Sequence, residues 1–387
     1  MNNYVPLGDI VDIKGGGTPD KKVAAYWDGD IPWASVKDFK SGTLDRTVDR
    51  ITVAGVAASA TNIIPAGHII VPTRMAVGKA AINTIDLAIN QDLKALFPKV
   101  SVDTRYLYNA LLANSGKLLD QATGATVKGI KLDTLRGLKI PLPPLEEQKR
   151  IAGILDQADA LRRLRTRALD KLNTLGQAIF HEMFGDVARN SIDWPIGCIG
   201  DLLEEAKYGS SEKANTEGKG LPMLRMGNLT YDGQIDLTSL KHVELSDSDF
   251  EKYTTRKGDL LFNRTNSKEL VGKTAVVKQE EPLAFAGYLV RGRANELGNT
   301  DYISAYLNSS HGKATLVGMC KNIVGMANIN AKEMQKIRIA IPPKDLQDQF
   351  SVAIDALAPE RNKLLDAIDL QGSLFASLQH RAFRGEL

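Results

Sequence analysis

Two stretches of this chain carry groups dense enough to do chemistry. Asn263-Arg264-Thr265-Asn266-Ser267-Lys268 follows the apolar run Leu260-Leu261-Phe262, and Lys273 comes shortly after. Arg74 and Lys79 occupy the corresponding loop after Ile69-Ile70-Val71, with Thr126, Lys128 and Lys131 further on. Guanidinium and ammonium groups pair with guanine edges and carboxamides with adenine, so such loops suit the reading of bases in a major groove. They suit phosphate contacts as well, which position without specifying. A plain solvated loop is the alternative. Arg225 and Asn228, with Lys14 and Lys37, are weaker members of the same set.

Catalytic motifs find less support. Gly272-Lys273-Thr274 ends like a phosphate-binding loop, but the glycine required five positions earlier is Ser267. Gly15-Gly16-Gly17 lacks the dinucleotide spacing and reads as a flexible or closely approached loop. An adenine methyltransferase needs an aromatic residue after Asp/Asn-Pro-Pro, whereas the two proline pairs here precede Leu145 and Lys344. Acid-x-Lys triplets such as Glu217-Gly218-Lys219 arise by chance in a lysine-rich chain. His68, His181, His242, His311 and His380 form no metal-ligand spacing. The expectation is a chain with no catalytic residue, no metal site and no cofactor site.

Elements that position these loops come in two copies. Leu138 to Phe184 returns at Ile337 to Phe383 with a constant offset of 199 residues, which matches Pro143 to Pro342, Gln148 to Gln347 and His181 to His380. In each copy a proline pair ends an extended segment and opens a long charged helix. Apolar residues spaced by three and four make one seam, Ile151, Leu155, Leu169 and Leu172 in the first helix and Phe350, Ile354, Leu364 and Ile368 in the second. One stripe needs a partner, so the helices are expected to pair as an antiparallel coiled coil with pseudo-two-fold symmetry. Pro359, where the first copy has Ala160, should kink the second helix or tighten its first turns.

The globular parts repeat more loosely. Gly67 and Gly258 each precede a buried strand, and Val77-Gly78-Lys79 answers Val271-Gly272-Lys273. Short strands among short helices make each half α+β, with an α/β-like mixture. Four regions follow: a recognition-type domain at 1-144, a helix at 145-186, a second domain at 187-343 and a second helix at 344-387. At 387 residues the chain is too long for one core, and a net charge of +3 permits nucleic acid without arguing for it. Cys198 and Cys320 lie in no metal spacing and imply a reducing compartment. No stretch is long enough to span a bilayer, so no membrane contact and a cytoplasmic location are expected.

Taken in order, these pieces resemble the specificity subunit of a type I restriction–modification system over essentially the whole chain. Gly15-Gly16-Gly17-Thr18-Pro19 with Tyr26-Trp27-Asp28-Gly29-Asp30-Ile31-Pro32-Trp33 is similar to a common opening of its target-recognition domains. Ile140-Pro141-Leu142-Pro143-Pro144-Leu145-Glu146-Glu147-Gln148 and the terminal His380-Arg381-Ala382-Phe383-Arg384-Gly385-Glu386-Leu387 also resemble the family. The second proline motif reads Ala340-Ile341-Pro342-Pro343-Lys344-Asp345 where the family pattern has Pro-Leu-Pro-Pro-Leu.

The resemblance implies a non-catalytic subunit that reads double-stranded DNA as a bipartite, asymmetric target, one half-site per domain. It implies two modification subunits that methylate adenine with S-adenosylmethionine. It also implies restriction motor subunits that bring ATP and Mg2+. A helix of about 40 residues spans roughly 60 Å and would act as a ruler for the spacer. Two rivals remain: a structural adaptor whose duplicated domains bind protein, and the recognition part of a fused restriction–modification enzyme.

Overall fold

The structure, a computed structural model, describes residues 4–124, 126–320 and 326–387. The chain divides into two compact units, Met1–Arg165 with Ala367–Leu387, and Thr166–Asp366. These boundaries cut through the long helices, because the two ends of each helix pack on different globular parts.

In the first unit a five-stranded sheet runs in the order Val11–Gly15, Leu93–Pro98, Ile69–Pro72, Ala81–Asn83, Thr43–Leu44. A four-stranded sheet is built on Trp27–Ala34 and Leu87–Ile89. The central strand is apolar throughout and buried on both faces, and Gly67 supplies the left-handed turn (φ +90) that leads into it. Tyr4–Pro6 pairs with Lys139–Pro141 in a separate ribbon at the entrance to the first long helix.

The second unit repeats this plan. Its four-stranded sheet runs Leu203–Tyr208, Leu289–Ala294, Leu260–Asn263, Thr274–Val276, with Gly258 (φ +89) before the central strand. Ile196–Cys198 pairs with Arg338–Ala340 at the entrance to the second helix.

The first long helix is continuous over Leu145–Phe184. The second is not: it runs Lys344–Asp355, breaks, and resumes at Ala358–Ala382. Pro359 has no N–H to donate, so it can sit only in a first helical turn, and the helix restarts around it.

Packing is antiparallel within each unit. In the first unit Arg150 Nη2 donates to Leu387 O at 3.0 Å and Arg162 lies over the Phe375 ring at 5.9 Å. In the second, Arg361 Nε donates to Asn173 Oδ1 at 3.3 Å, and Phe180 meets Phe350 with centroids 5.6 Å apart. Seam residues near the domains, Ile151, Leu155 and Phe350, are buried. Leu169, Leu172, Ile354, Leu364 and Ile368 are half-buried, as expected where only two helices cover one another.

Each helix start is fixed by one buried carboxamide. Gln148 Oε1 accepts from the Asp103 amide at 2.9 Å, and its Nε2 donates to Pro143 O at 2.8 Å. Gln347 does the same with the Asn299 amide and Pro342 O, both at 2.9 Å, and adds Leu297 O at 3.0 Å. Beside them Tyr106 donates to Pro141 O at 2.8 Å, and Tyr302 to Ala340 O at 2.7 Å. Burial pushes both phenols well above the usual tyrosine range. Tyr106 packs on Phe383 at 5.4 Å and Tyr302 on Phe184 at 4.7 Å, so each core is closed by the end of the other helical repeat.

Replacing Gln148 by Leu keeps the volume but strands the Asp103 amide and the Pro143 carbonyl in an interior site. Each orphaned group costs about 1–3 kcal/mol. Urea denaturation should show a lower midpoint, with Gln347→Leu behaving alike; an unmoved midpoint in both would refute this role.

Candidate nucleic-acid interface

The two candidate loops of the first unit form one ribbon. After the strand Ile69–Pro72, the Thr73 amide donates to Asp92 O at 2.8 Å and Thr73 O accepts from the Ile130 amide at 2.9 Å. Arg74 bridges Gly129, and the Met75 amide donates to Lys128 O at 3.0 Å. Reciprocal bonds of 2.9 Å between Thr123 and Gly129 close the turn that carries Thr126 and Lys128. Lys131 follows as the N-cap of the short helix Leu132–Arg136. Arg74, Thr126, Lys128 and Lys131, far apart in sequence, therefore share one exposed edge. The Arg74 side chain is 59% exposed, and its Nη1 lies 3.6 Å from Asp92 Oδ1.

The second unit builds the same ribbon from Thr265–Asn266 and Ala327–Asn328. The Arg264 amide donates to Tyr288 O at 3.0 Å, and Arg264 O accepts from Ile329 N at 2.8 Å. By these bonds Arg264 matches Thr73, Tyr288 matches Asp92, and Ile329 matches Ile130. Arg74 thus corresponds to Thr265, so the two arginines are one register apart. Successive residues of an extended chain face opposite sides, so they cannot present the same way. Arg264 lies over the Tyr208 ring at 4.8 Å, and its Nε is buried without a hydrogen-bond acceptor among the described residues. Asn266 is half-buried, its Oδ1 taken by the Ser267 amide at 2.9 Å, whereas Lys268 is exposed.

Four further expected residues are occupied by the fold. Lys273 Nζ donates to Leu229 O, and Lys79 Nζ to Phe39 O at 3.4 Å; each carbonyl follows a short 3-10 turn in the matching place. Burial lowers the Lys273 ammonium below its ordinary pKa. Asn228 is buried, holding the Arg225 amide and Asp236 O at 3.0 Å each, as Asp38 holds the Ser35 amide at 2.8 Å in the first unit. Asn263 is fully buried at the end of its strand. Lys273, Asn228 and Asn263 are therefore part of the scaffold, and Lys79 stays exposed but tethered. Arg225 is half-buried, with its Nε lacking an acceptor among the described residues.

Sequence reasoning missed Asp92, Tyr208 and Tyr288. Setting Asn90-Gln91-Asp92-Leu93 against Ala286-Gly287-Tyr288-Leu289 would have exposed the contrast between Asp92 and Tyr288. The glycine run Gly15-Gly16-Gly17 is a close approach: a Cβ on Gly16 would fall 1.9 Å from Ile89 O. No group of three metal-ligating side chains occurs among the described residues. Nor, among them, is any helix long and apolar enough to cross a membrane.

Comparison with known proteins matches residues 2–174 and 191–367 to the family model for the type I restriction modification DNA specificity domain. The MjaIX specificity subunit of a type I restriction enzyme from Methanocaldococcus jannaschii is 25% identical over 381 residues, spanning 91% of this chain and 85% of that protein. The EcoR124I/EcoR124II specificity subunit from Escherichia coli is 36% identical over 172 residues, 43% of each chain. The fold is that of the crystal structure of a type I restriction-modification S subunit from M. genitalium, with a TM-score of 0.59, 16% identity, and coverage of 99% of this chain and 96% of that one.

The carbonyl-bound ammonium of Lys273 predicts a stability role. Lys273→Met should cost about 1.5–3 kcal/mol, the range for losing a hydrogen bond to a charged group. Thermal melting of the purified chain would check it, and an unchanged Tm would return Lys273 to the list of surface contacts.

Proposed function

The chain belongs to the type I restriction modification DNA specificity family, and we propose that it is the DNA-reading subunit of such a system, each unit reading one half of a bipartite, asymmetric target. The observation that carries this is one ribbon built twice with different side chains. Arg74 against Asp92 stands in the first unit, and Arg264 with Tyr208 and Tyr288 stands in the second. Equal scaffolds with unequal tips suit two unequal half-sites.

In this reading Arg74, Arg264, Asn266, Thr126, Lys128, Lys131 and Lys268 face the duplex, some toward bases and some toward phosphates. The chain performs no chemistry. Two modification subunits bind it and bring S-adenosylmethionine, extruding an adenine from the stack in each half-site. Restriction subunits bring ATP and Mg2+. The leucines left exposed on the helices of the first unit, Leu161, Leu164, Leu370 and Leu374, suit docking of a modification subunit. The work is cytoplasmic.

Methylome mapping of the variant complexes tests the assignment. Arg74→Ala should cost about 1–3 kcal/mol and relax one base in one half-site. Arg264→Ala should act on the other half-site alone. A uniform loss over all sequences would make either residue a phosphate or structural contact.

The long helices join the units covalently, and we read their length as setting the spacer between half-sites. Four residues added after Leu169 and after Ile368 lengthen each helix by roughly 6 Å. Half-sites about one or two base pairs further apart should then be methylated, with the bases read in each unchanged. An active variant with its original spacer would rule the ruler out.

A further inference from the structure

At matched positions the main sheets of the two units are filled by opposite chemistry. Strand register sets Lys14 opposite Ala95 and Ala95 opposite Ile70 in the first unit. In the second it sets Lys207 opposite Arg291 and Arg291 opposite Leu261. Two pairs along, on the same face, Asp12 and Phe97 correspond to Glu205 and Arg293. The first unit needs no buried charge here: Ala95 is fully buried, and Phe97 packs on His68 at 4.3 Å with Lys14 Nζ 4.3 Å from its ring.

The second unit buries a guanidinium in the same place. The Arg291 side chain is 1% exposed; Nη2 donates to Glu205 Oε1 at 2.6 Å and Nη1 to Thr254 O. Arg293 Nε donates to Asp259 Oδ1 at 2.9 Å, and its Nη1 lies 3.1 Å from Glu205 Oε1. Charges taken out of water cost several kcal/mol each before pairing repays them, and the first unit shows that the sheet closes without them. Arg291 Nε has no hydrogen-bond acceptor among the described residues, with Asp259 Oδ2 at 3.8 Å.

These arginines floor a cleft of about 690 Å³ between the edge strand Leu203–Tyr208 and the helix Asp247–Tyr253. Lys207, Tyr208, Lys252 and Tyr253 complete its cationic and aromatic lining, with Glu251 as the carboxylate at its wall. Lys207 and Lys252 are exposed, Lys207 pairing with Glu205 Oε2 at 2.6 Å and Lys252 lying 4.6 Å from the Tyr253 ring. Tyr208 is the residue on which Arg264 stacks, so the cleft adjoins the recognition ribbon.

We propose that this cleft holds a backbone phosphate of the DNA beside the half-site read by the second unit, a contact the first unit lacks. The proposal rests on the DNA reading above. A contact of this kind adds affinity without sequence information.

Salt titration of DNA binding by the complex with its modification subunit tests it. Each neutralised phosphate contributes about 0.9 to the slope of log affinity against log salt. Lys207→Ala with Lys252→Ala should therefore flatten the slope by about 0.9, roughly a three- to fourfold smaller loss of affinity between about 50 and 200 mM salt. The methylated sequence should not change. Lys257→Ala, an exposed lysine of the same unit paired to Glu280, should leave the slope alone. An unaltered slope in the double variant, or equal flattening by Lys257→Ala, overturns the cleft and spares the DNA reading. Inorganic phosphate that binds the complex through Lys207 and Lys252 while the DNA slope stays fixed would also overturn it. A wild-type complex that binds no DNA would remove both.

Discussion

Each helical repeat opens with a glutamine shut away from water. Gln148 and Gln347 occupy the point where an extended proline segment becomes helix and where a domain helix begins alongside. Proline supplies no N–H, so the carbonyls before it need an outside donor and the neighbouring amide needs an outside acceptor. One carboxamide serves both. That fixes the direction in which each long helix leaves its domain, and so fixes where Phe180 and Phe184 arrive in the second unit and Phe383 in the first. Shortening or turning either helix would empty the slot beside Tyr106 or Tyr302, at a cost of the order of a buried phenylalanine, about 3–5 kcal/mol.

Around these invariant joints the interiors diverge. The same sheet positions hold His68, Ala95 and Phe97 in one unit and Asp259, Arg291 and Arg293 in the other. At these positions the strands pair in the same register in both units, so the side chains are free to differ as long as each set satisfies itself. An aromatic contact does so by packing, and an ionic network does so by bonding its own charges. A hybrid, such as arginine against the apolar set, would leave a charge unpaired.

The sequence was most informative where it repeated. Proline pairs, a constant offset and an apolar seam located both long helices, and Pro359 marked the interruption that the structure places at Ala356–Leu357. Loops were harder. The strand glycines are 191 residues apart, Gly67 to Gly258, whereas the helices are 199 apart, so loops between them differ in length. Counted from the glycines, Arg74 falls against Thr265, and matching the two loops on their arginines hid that one-residue shift. Lys273 and Asn228 looked like surface contacts because nothing local reveals a carbonyl more than forty residues away, or an interior reached through a short 3-10 turn. Asn263 misled because a polar residue closing an apolar strand reads as its exposed end.

The first unit is closed by chain that arrives late. Tyr4 donates its phenol to Phe383 O at 3.0 Å across 379 positions, and Phe383 also fills the slot beside Tyr106. The second unit is contiguous, Thr166–Asp366. At about 5–20 residues per second, ribosomal synthesis separates Tyr106 from Phe383 by on the order of 14–55 s. During that interval the first unit emerges first yet waits with an apolar slot open to solvent, while the second can close on itself as soon as its own stretch is out. Order of birth and order of completion are therefore reversed, and the nascent chain is most exposed to chaperones and to aggregation at its oldest domain.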